Sequence, residues 1–386
     1  MMFKIRKKKT TARSGLVSSV HGRLKTPFFM PDATRGFVKL LTRKEMEAVG
    51  LGPLVINTYH LFLQPGEKLI RRAGGAHRFI NWDKPLLSDS GGFQVFSLIR
   101  QARGKAPLGK VTDKGVIFRS PIDGRLNELT PEKAIRIQFD LGVDMMVCLD
   151  DCPPNDAPRE EIGRAVERTL AWAARCKKEY ERQLKARRIP AGQRPLLFSV
   201  IQGGTFLDLR ERCASGLVGI GFDGYGFGAK PVDSQGNFLE EVLRETAAMI
   251  PEKALRFALG IGLPEDILRC ASYGWDMFDC VIPTREGRHG RLFLPAQDWK
   301  KKAGAYRGGK QNFYKTANIN NARFAKDFSP INPDSRLPEL REYSKAYLNH
   351  LFKTKEALGA KLASLNNLEF YMELMETIRK NIDSPG

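Results

Sequence analysis

Two aspartates stand out by where they sit. Asp89 lies in "KPLLSDSGGFQVF" and Asp279 in "MFDCVIP", and each ends a short apolar run. Two carboxylates facing one site suit substitution at a sugar's anomeric carbon. One attacks the carbon while the other handles the leaving group's proton. If the leaving group is replaced by another of its kind with configuration retained, two inversions are needed, and a covalent sugar–carboxylate intermediate supplies both. Asp150, ending "MMVCL", and Gln202, ending "PLLFSVI", are surplus to hydrolysis. They match the edge of guanine: a carboxylate accepts from the ring N–H and exocyclic amine, and an amide donates to O6. Gly91 and Gly92 would let backbone N–H groups approach a ligand. A lone strand-end acid is as readily a helix N-cap; recurrence at equivalent positions points to a site.

These groups need a frame that brings strand ends together. From residue 42 the chain alternates helix and strand. Thr42 with Glu45 forms a capping box, and "PLVINTYH" and "KPLLSD" read as strands. "PEKAIRIQFDLG" opens with Pro at the first helical position, and a charged helix spans roughly Pro158 to Leu184. The helix–strand pairs continue through "LDLRERCASGLVGI"/"FDGYGFGA", "FLEEVLRETAAMI"/"ALRFALG" and "PEDILRCASYG"/"MFDCVIP". The strands are short, apolar and not strictly two-periodic, as parallel strands buried on both faces are. No GxGxxG fingerprint opens a helix. The expected fold is α/β, a (β/α)8 TIM barrel over residues 1–296 with a charged N-terminal strand pair. Residues 297–386 would form a basic segment, a proline-rich linker "DFSPINPDSRLPE" and a helical subdomain on the barrel, its helices broken near Leu365-Asn366-Asn367.

The formal net charge is +20. Such an excess repels itself unless a polyanion relieves it, which points to nucleic acid. The six cysteines lack pairing spacing and read as reduced cytosolic thiols, and no Cys/His cluster has zinc-site spacing. No apolar run is long enough to cross a membrane, and the basic start lacks the apolar stretch of a secretory signal.

Taken in order, "HGRLKTPFFMP", "TYHL", "SDSGGFQV", "IQGG", "FDGYGFG", "MFDCVIPTREGR" and "YSKAYLNHLF" resemble the bacterial tRNA-guanine transglycosylases over nearly the whole chain. The resemblance implies exchange of guanine at the wobble position (34) of tRNAs with a GUN anticodon for a 7-deazaguanine base, in queuosine formation. It implies Asp279 as nucleophile on the ribose and Asp89 as general acid/base. Ser90, Gly91, Gly92, Phe93, Asp150, Gln202, Gly228, Ala229 and Leu259 would hold the base, with Phe93 stacked on one face and Leu259 packed on the other. Gly260, Ile261, Gly262, Leu263, Pro264, Glu265 and Asp266 would touch RNA, as would Thr284, Arg285, Glu286, Gly287 and Arg288. It further implies a cytoplasmic homodimer. A target base must leave its stack, which is easier in a single-stranded anticodon loop.

Two departures stand against that pattern. The family's zinc ligands, three cysteines and a histidine, fall on Ser335, Leu337, Leu340 and Asn366, so no metal is expected. The base-specificity loop reads "FGAKPVDSQ": Ala229, Lys230, Pro231 and Ser234 replace two glycines, a leucine, small residues and a glutamate. That glutamate serves the cationic aminomethyl group of 7-aminomethyl-7-deazaguanine. Ser234 cannot, and Asp233 is the nearest acid, so queuine or the aminomethyl base stays open. Two other readings also stay open: a non-catalytic RNA-binding subunit, and a relative modifying another nucleic acid.

Overall fold

Eight short strands carry the alternation: β1 (Phe28–Pro31), β2 (Leu54–Ile56), β3 (Leu86–Ser88), β4 (Met145–Val147), β5 (Leu196–Ile201), β6 (Gly224–Phe227), β7 (Leu255–Ala258) and β8 (Met277–Cys280). The computed structural model describes residues 2–100, 109–306 and 312–384. The strands are parallel, in the order β1-β8-β7-β6-β5-β4-β3-β2. A parallel bridge between Asp32 and Val55 joins β1 to β2 and closes the ring, as a (β/α)8 barrel requires. Within each strand alternate residues point to opposite sides. Met30, Leu87, Met145, Phe198 and Phe257 share the inner core, whereas Phe29, Leu86, Met146, Leu197 and Phe278 pack outward under the helices. Burial on both faces is why the runs read as continuously apolar.

β1 lay outside the alternation counted from residue 42; it follows Pro27 and ends on Pro31. It becomes a strand because it pairs with β8, Met30 opposite Asp279. The expected strand "PLVINTYH" ends early: Asn57 caps a helix, Thr58–Leu63, by accepting from the His60 N–H at 2.9 Å. The helix Pro131–Leu141 runs as expected, capped by Thr130 and stopped by Gly142 at φ 68°.

The N-terminal strand pair is a three-stranded antiparallel sheet, Phe3–Lys9, Ala12–Ser19 and Gly22–Thr26, which floors the barrel. Its Arg13 is buried against Asp276, Nε to Oδ1 at 3.0 Å. The sheet's turn brings His21 to Asp144, Nδ1 to Oδ1 at 3.0 Å. His21 stacks on His77 at 3.4 Å, and His77 Nε2 lies 3.0 Å from Asp144 Oδ2. Spacing along the chain does not show this cluster. Its near-parallel rings cannot aim their in-plane lone pairs at one metal ion. A second antiparallel sheet, Gly109–Thr112, Gly115–Arg119 and Leu126–Leu129, is inserted after β3 and was not expected.

Beyond β8 the strand Arg291–Pro295 pairs antiparallel with Tyr314–Asn318, spanning the expected boundary at residue 296. Residues 307–311 of the basic segment lie outside the described residues. The proline-rich stretch is folded, not a linker: Ile331, Leu337 and Leu340 are buried, and the Ile331 N–H donates to the Tyr343 carbonyl at 2.9 Å. The helix break expected near Leu365-Asn366-Asn367 is absent. The chain breaks at Thr354–Glu356, with Lys355 at φ 59°, and the last helix runs unbroken from Ala357 to Asp383. Asn366 and Asn367 are buried mid-helix because they bond to main chain elsewhere. Asn367 Nδ2 donates to the carbonyls of Pro283 and Arg291, both at 2.9 Å, and its Oδ1 accepts from the Phe293 N–H at 2.9 Å.

Candidate active site

The residue after β3, the one three beyond β4, the one after β5 and one within β8 are Asp89, Asp150, Gln202 and Asp279. All lie at the carboxyl ends of barrel strands, where active sites of this fold gather. Asp89 is held firmly. Asn57 Nδ2 donates to its Oδ2 at 2.5 Å, and the N–H groups of Thr58 and Gly91 donate to Oδ1 at 3.0 and 3.1 Å. Gly91 and Gly92 serve the loop itself. The Gly92 N–H goes to Ser90 Oγ at 3.3 Å, and a Cβ on Gly91 would meet the Tyr59 nitrogen at 2.8 Å. Close packing and fixing of Asp89, not open N–H groups for a ligand, explain the pair.

Asp279 Oδ1 accepts from the Gly260 N–H at 3.0 Å. Asp150 Oδ2 accepts from Gln202 Nε2 at 2.6 Å, and Gln202 is buried. Each of the three aspartates is half-buried. Loss of water around the charged form, the main cause, pushes all three carboxyls up to about 7. For Asp89 the nearby charges of Asp32 and Asp279 push the same way. The charge of Asp279 thus reaches Asp89, and that of Asp32 reaches both. At neutral pH such a pair holds a proton on one member and a charge on the other, the division that acid/base and nucleophilic roles need.

The floor for a planar ligand is made by missing side chains. A Cβ on Gly226 would meet Leu259 at 2.4 Å, so Leu259 lies over β6. A Cβ on Gly228 would meet Gln202 Nε2 at 2.5 Å. The Gly228 N–H is used by the Ile201 carbonyl at 2.9 Å, and its own carbonyl accepts from the buried Arg210 at 2.8 Å. Ala229 stands at φ 134°, a backbone state that favours glycine. Phe93 is 54% exposed on the first turn of its helix, free to face a ligand.

The other expected contact residues divide by burial. In 260–266, Ile261, Gly262, Pro264 and Asp266 are buried, which leaves Gly260, Leu263 and part of Glu265 outward. In 284–288, Thr284 and Gly287 face inward: a Cβ on Gly287 would meet Ser364 of the last helix at 2.8 Å. Arg285 is exposed, and Glu286 and Arg288 are half-buried. Burial lowers the Arg288 guanidinium from its ordinary value while the charge of Asp32 raises it. Asp32, one residue beyond β1, was not among the expected site residues, because the alternation was followed only from residue 42.

In the base-specificity loop Lys230 is exposed, and Asn155 holds its carbonyl at 2.8 Å. Asp233 binds its own turn, accepting from the N–H groups of Gln235 and Asn237 at 2.9 and 2.8 Å.

A family model described as queuine tRNA-ribosyltransferase matches residues 8–385. The chain belongs to this family. It is 41% identical over 370 residues to a queuine tRNA-ribosyltransferase of Halothermothrix orenii, covering 96% of this chain and 90% of that one. It is 42% identical over 370 residues to that of Pelotomaculum thermopropionicum, with the same coverage. With that of Desulforamulus reducens it shares 41% over 382 residues, 98% of this chain and 94% of the relative.

The residues at the family's zinc positions do not fit a metal. Leu337 and Leu340 carry no donor atom and are buried. Ser335 Oγ donates to Glu369 Oε2 at 2.5 Å, Asn332 Nδ2 donates to Asn366 Oδ1 at 3.3 Å, and Asn366 Nδ2 donates to the Phe293 carbonyl at 3.0 Å. No helix among the described residues is long and apolar enough to cross a membrane.

Proposed function

We propose that the chain exchanges guanine at the wobble position of GUN-anticodon tRNAs for a 7-deazaguanine base through an aspartyl-ribose ester. Asp279 attacks C1′ while Asp89 gives its proton to the departing guanine. The incoming base then returns a proton to Asp89 and displaces Asp279, so two inversions retain configuration. Asp150 accepts from the base's N1–H and exocyclic amine. Gln202, whose amide has a second N–H, donates to O6. Phe93 stacks on the base, Leu259 packs opposite, and Arg285 and Arg288 hold neighbouring phosphates. A cytoplasmic location goes with the tRNA substrate.

The observation that carries this reading is the joint placement of Asp89 and Asp279 at one barrel mouth, both near neutrality, beside the Asp150–Gln202 pair. The test is labelled guanine with unmodified tRNA. Label should enter the tRNA, and an RNA–protein adduct should be trapped with the parent enzyme but not with Asp279→Asn. Binding without incorporation would favour a silent RNA-binding subunit. Competition between queuine and the aminomethyl base reads which is inserted; with Asp233 bound to its own turn, the loop offers no free acid to the aminomethyl cation. We also propose that the C-terminal region needs no zinc, so strong chelators should leave the melting temperature unchanged.

A further inference from the structure

We propose that Asp32 is a positioning residue for the exchange reaction: a fourth carboxylate at the mouth, beside Asp89, Asp150 and Asp279, that acts on the sugar chemistry through Asp89, Asp279 and Arg288. The inference rests on the roles given to Asp89 and Asp279 above.

The register places it. In the β1–β8 ladder Met30 pairs with Asp279 and Pro31 with Cys280, and Asp32 is the next residue along. On its other side Asp32 pairs with Val55. Two residues past Val55, Asn57 holds Asp89 Oδ2 at 2.5 Å. The segment carrying Asp32 thus lies between the strand of Asp279 and the residue that holds Asp89. Thr34 Oγ1 donates to its Oδ1 at 2.7 Å and fixes the carboxylate. Among the described residues no Lys, Arg or His forms an ion pair with it, so its charge is not cancelled locally.

That charge reaches four groups on different elements. It pushes the carboxyls of Asp89 and Asp279 up, behind burial as the leading cause. It favours the charged form of Arg288, against burial and the neighbouring Arg285. It also acts on His60, which burial and Arg35 keep below its ordinary value. The chemistry needs Asp89 protonated and Asp279 ionised together. A fixed third charge opposes ionisation of both, so one proton stays on the pair at neutral pH. It also gives Arg288 a reason to lean inward rather than into solvent. A purely structural role, a turn residue capped by Thr34, predicts none of this.

The experiment is the pH profile of guanine exchange for the parent enzyme, Asp32→Asn and Asp32→Glu, from about pH 5 to about pH 9, with melting followed at each pH. Asparagine keeps the size and the acceptor for Thr34 and removes only the charge. Both limbs of the kcat/KM profile should move to lower pH together, by about half a unit or more, and glutamate should restore them. A profile that changes only in height, or not at all, overturns the proposal. If Asp32→Asn fails to fold, Asp32→Ser removes the charge with a smaller polar side chain and is read the same way. Asp89→Asn and Asp279→Asn separate the layers. If either still exchanges guanine, the underlying assignment fails. If both are dead and the Asp32→Asn profile stays put, only the role of Asp32 fails.

Discussion

Asn367 should be worth more to this protein than most of its apolar core residues. It is fully buried in the last helix and uses all four of its polar valences: its two N–H groups go to carbonyls at 2.9 Å, and its Oδ1 accepts from a main-chain N–H at 2.9 Å and from Asn366 Nδ2 at 3.1 Å. Asn367→Ala strands the Phe293 N–H and removes a donor from the Pro283 and Arg291 carbonyls. Each buried group left without a partner costs about 1–3 kcal/mol. The low end applies to the carbonyls, which have a second lone pair, so the loss should be about 3 kcal/mol. Asn367→Asp tests the donor specifically. It keeps the acceptor for Phe293 but turns a carboxylate oxygen toward two carbonyls. Its carboxyl should therefore be raised in the folded state, and its stability should be retained in acid and lost as pH rises. Urea unfolding at constant m reads both variants. Exchange activity should fall too, because Pro283 opens the helix Ile282–Arg288 that follows Asp279. A loss under about 1 kcal/mol for Asn367→Ala, or an Asp variant no worse than Ala at neutral pH, would refute the reasoning.

Gly228→Ala should raise KM for guanine about tenfold or more and also lower fold stability, because the added Cβ would stand 2.8 Å from the Ile201 carbonyl oxygen. Its Cβ would meet Gln202 Nε2 at 2.5 Å and push the amide off Asp150. Ala229→Gly should stabilise the free enzyme by about 0.5–1 kcal/mol, measured by denaturant unfolding, because relief at φ 134° exceeds the added chain entropy. The three site carboxyls, each raised to about 7 from 3.8, contribute stability that is full below the unfolded value and lost as pH climbs through 7. The free enzyme should therefore melt lower at pH ~8 than at pH ~6, and Asp150→Asn should narrow that gap.

The parts legible in the chain were those whose cause is local. Thr130, Pro131 and Gly142 announce both ends of their helix within a few residues, and the structure keeps those limits. Strand-end polar groups were legible because an apolar run that stops on a carboxylate or amide has few explanations, and three such acids and one amide lie at the carboxyl ends of the strands. What escaped depends on partners far away. β1 is four residues that follow one proline and end on another, a strand only because Met277–Cys280 lies beside it. Asp32 follows it and so went unremarked, although the ring closes there and its charge reaches both Asp89 and Asp279. Asn366 and Asn367 looked like a helix break because polar pairs in an apolar helix usually are. Their partners, Phe293, Arg291 and Pro283, lie more than 70 residues earlier. The same amides occupy the region where relatives of this family would be expected to place a metal. A side chain that satisfies three main-chain groups fixes that region's geometry by hydrogen bonds, and through the Pro283 carbonyl it anchors the helix Ile282–Arg288 that carries Arg285 and Arg288.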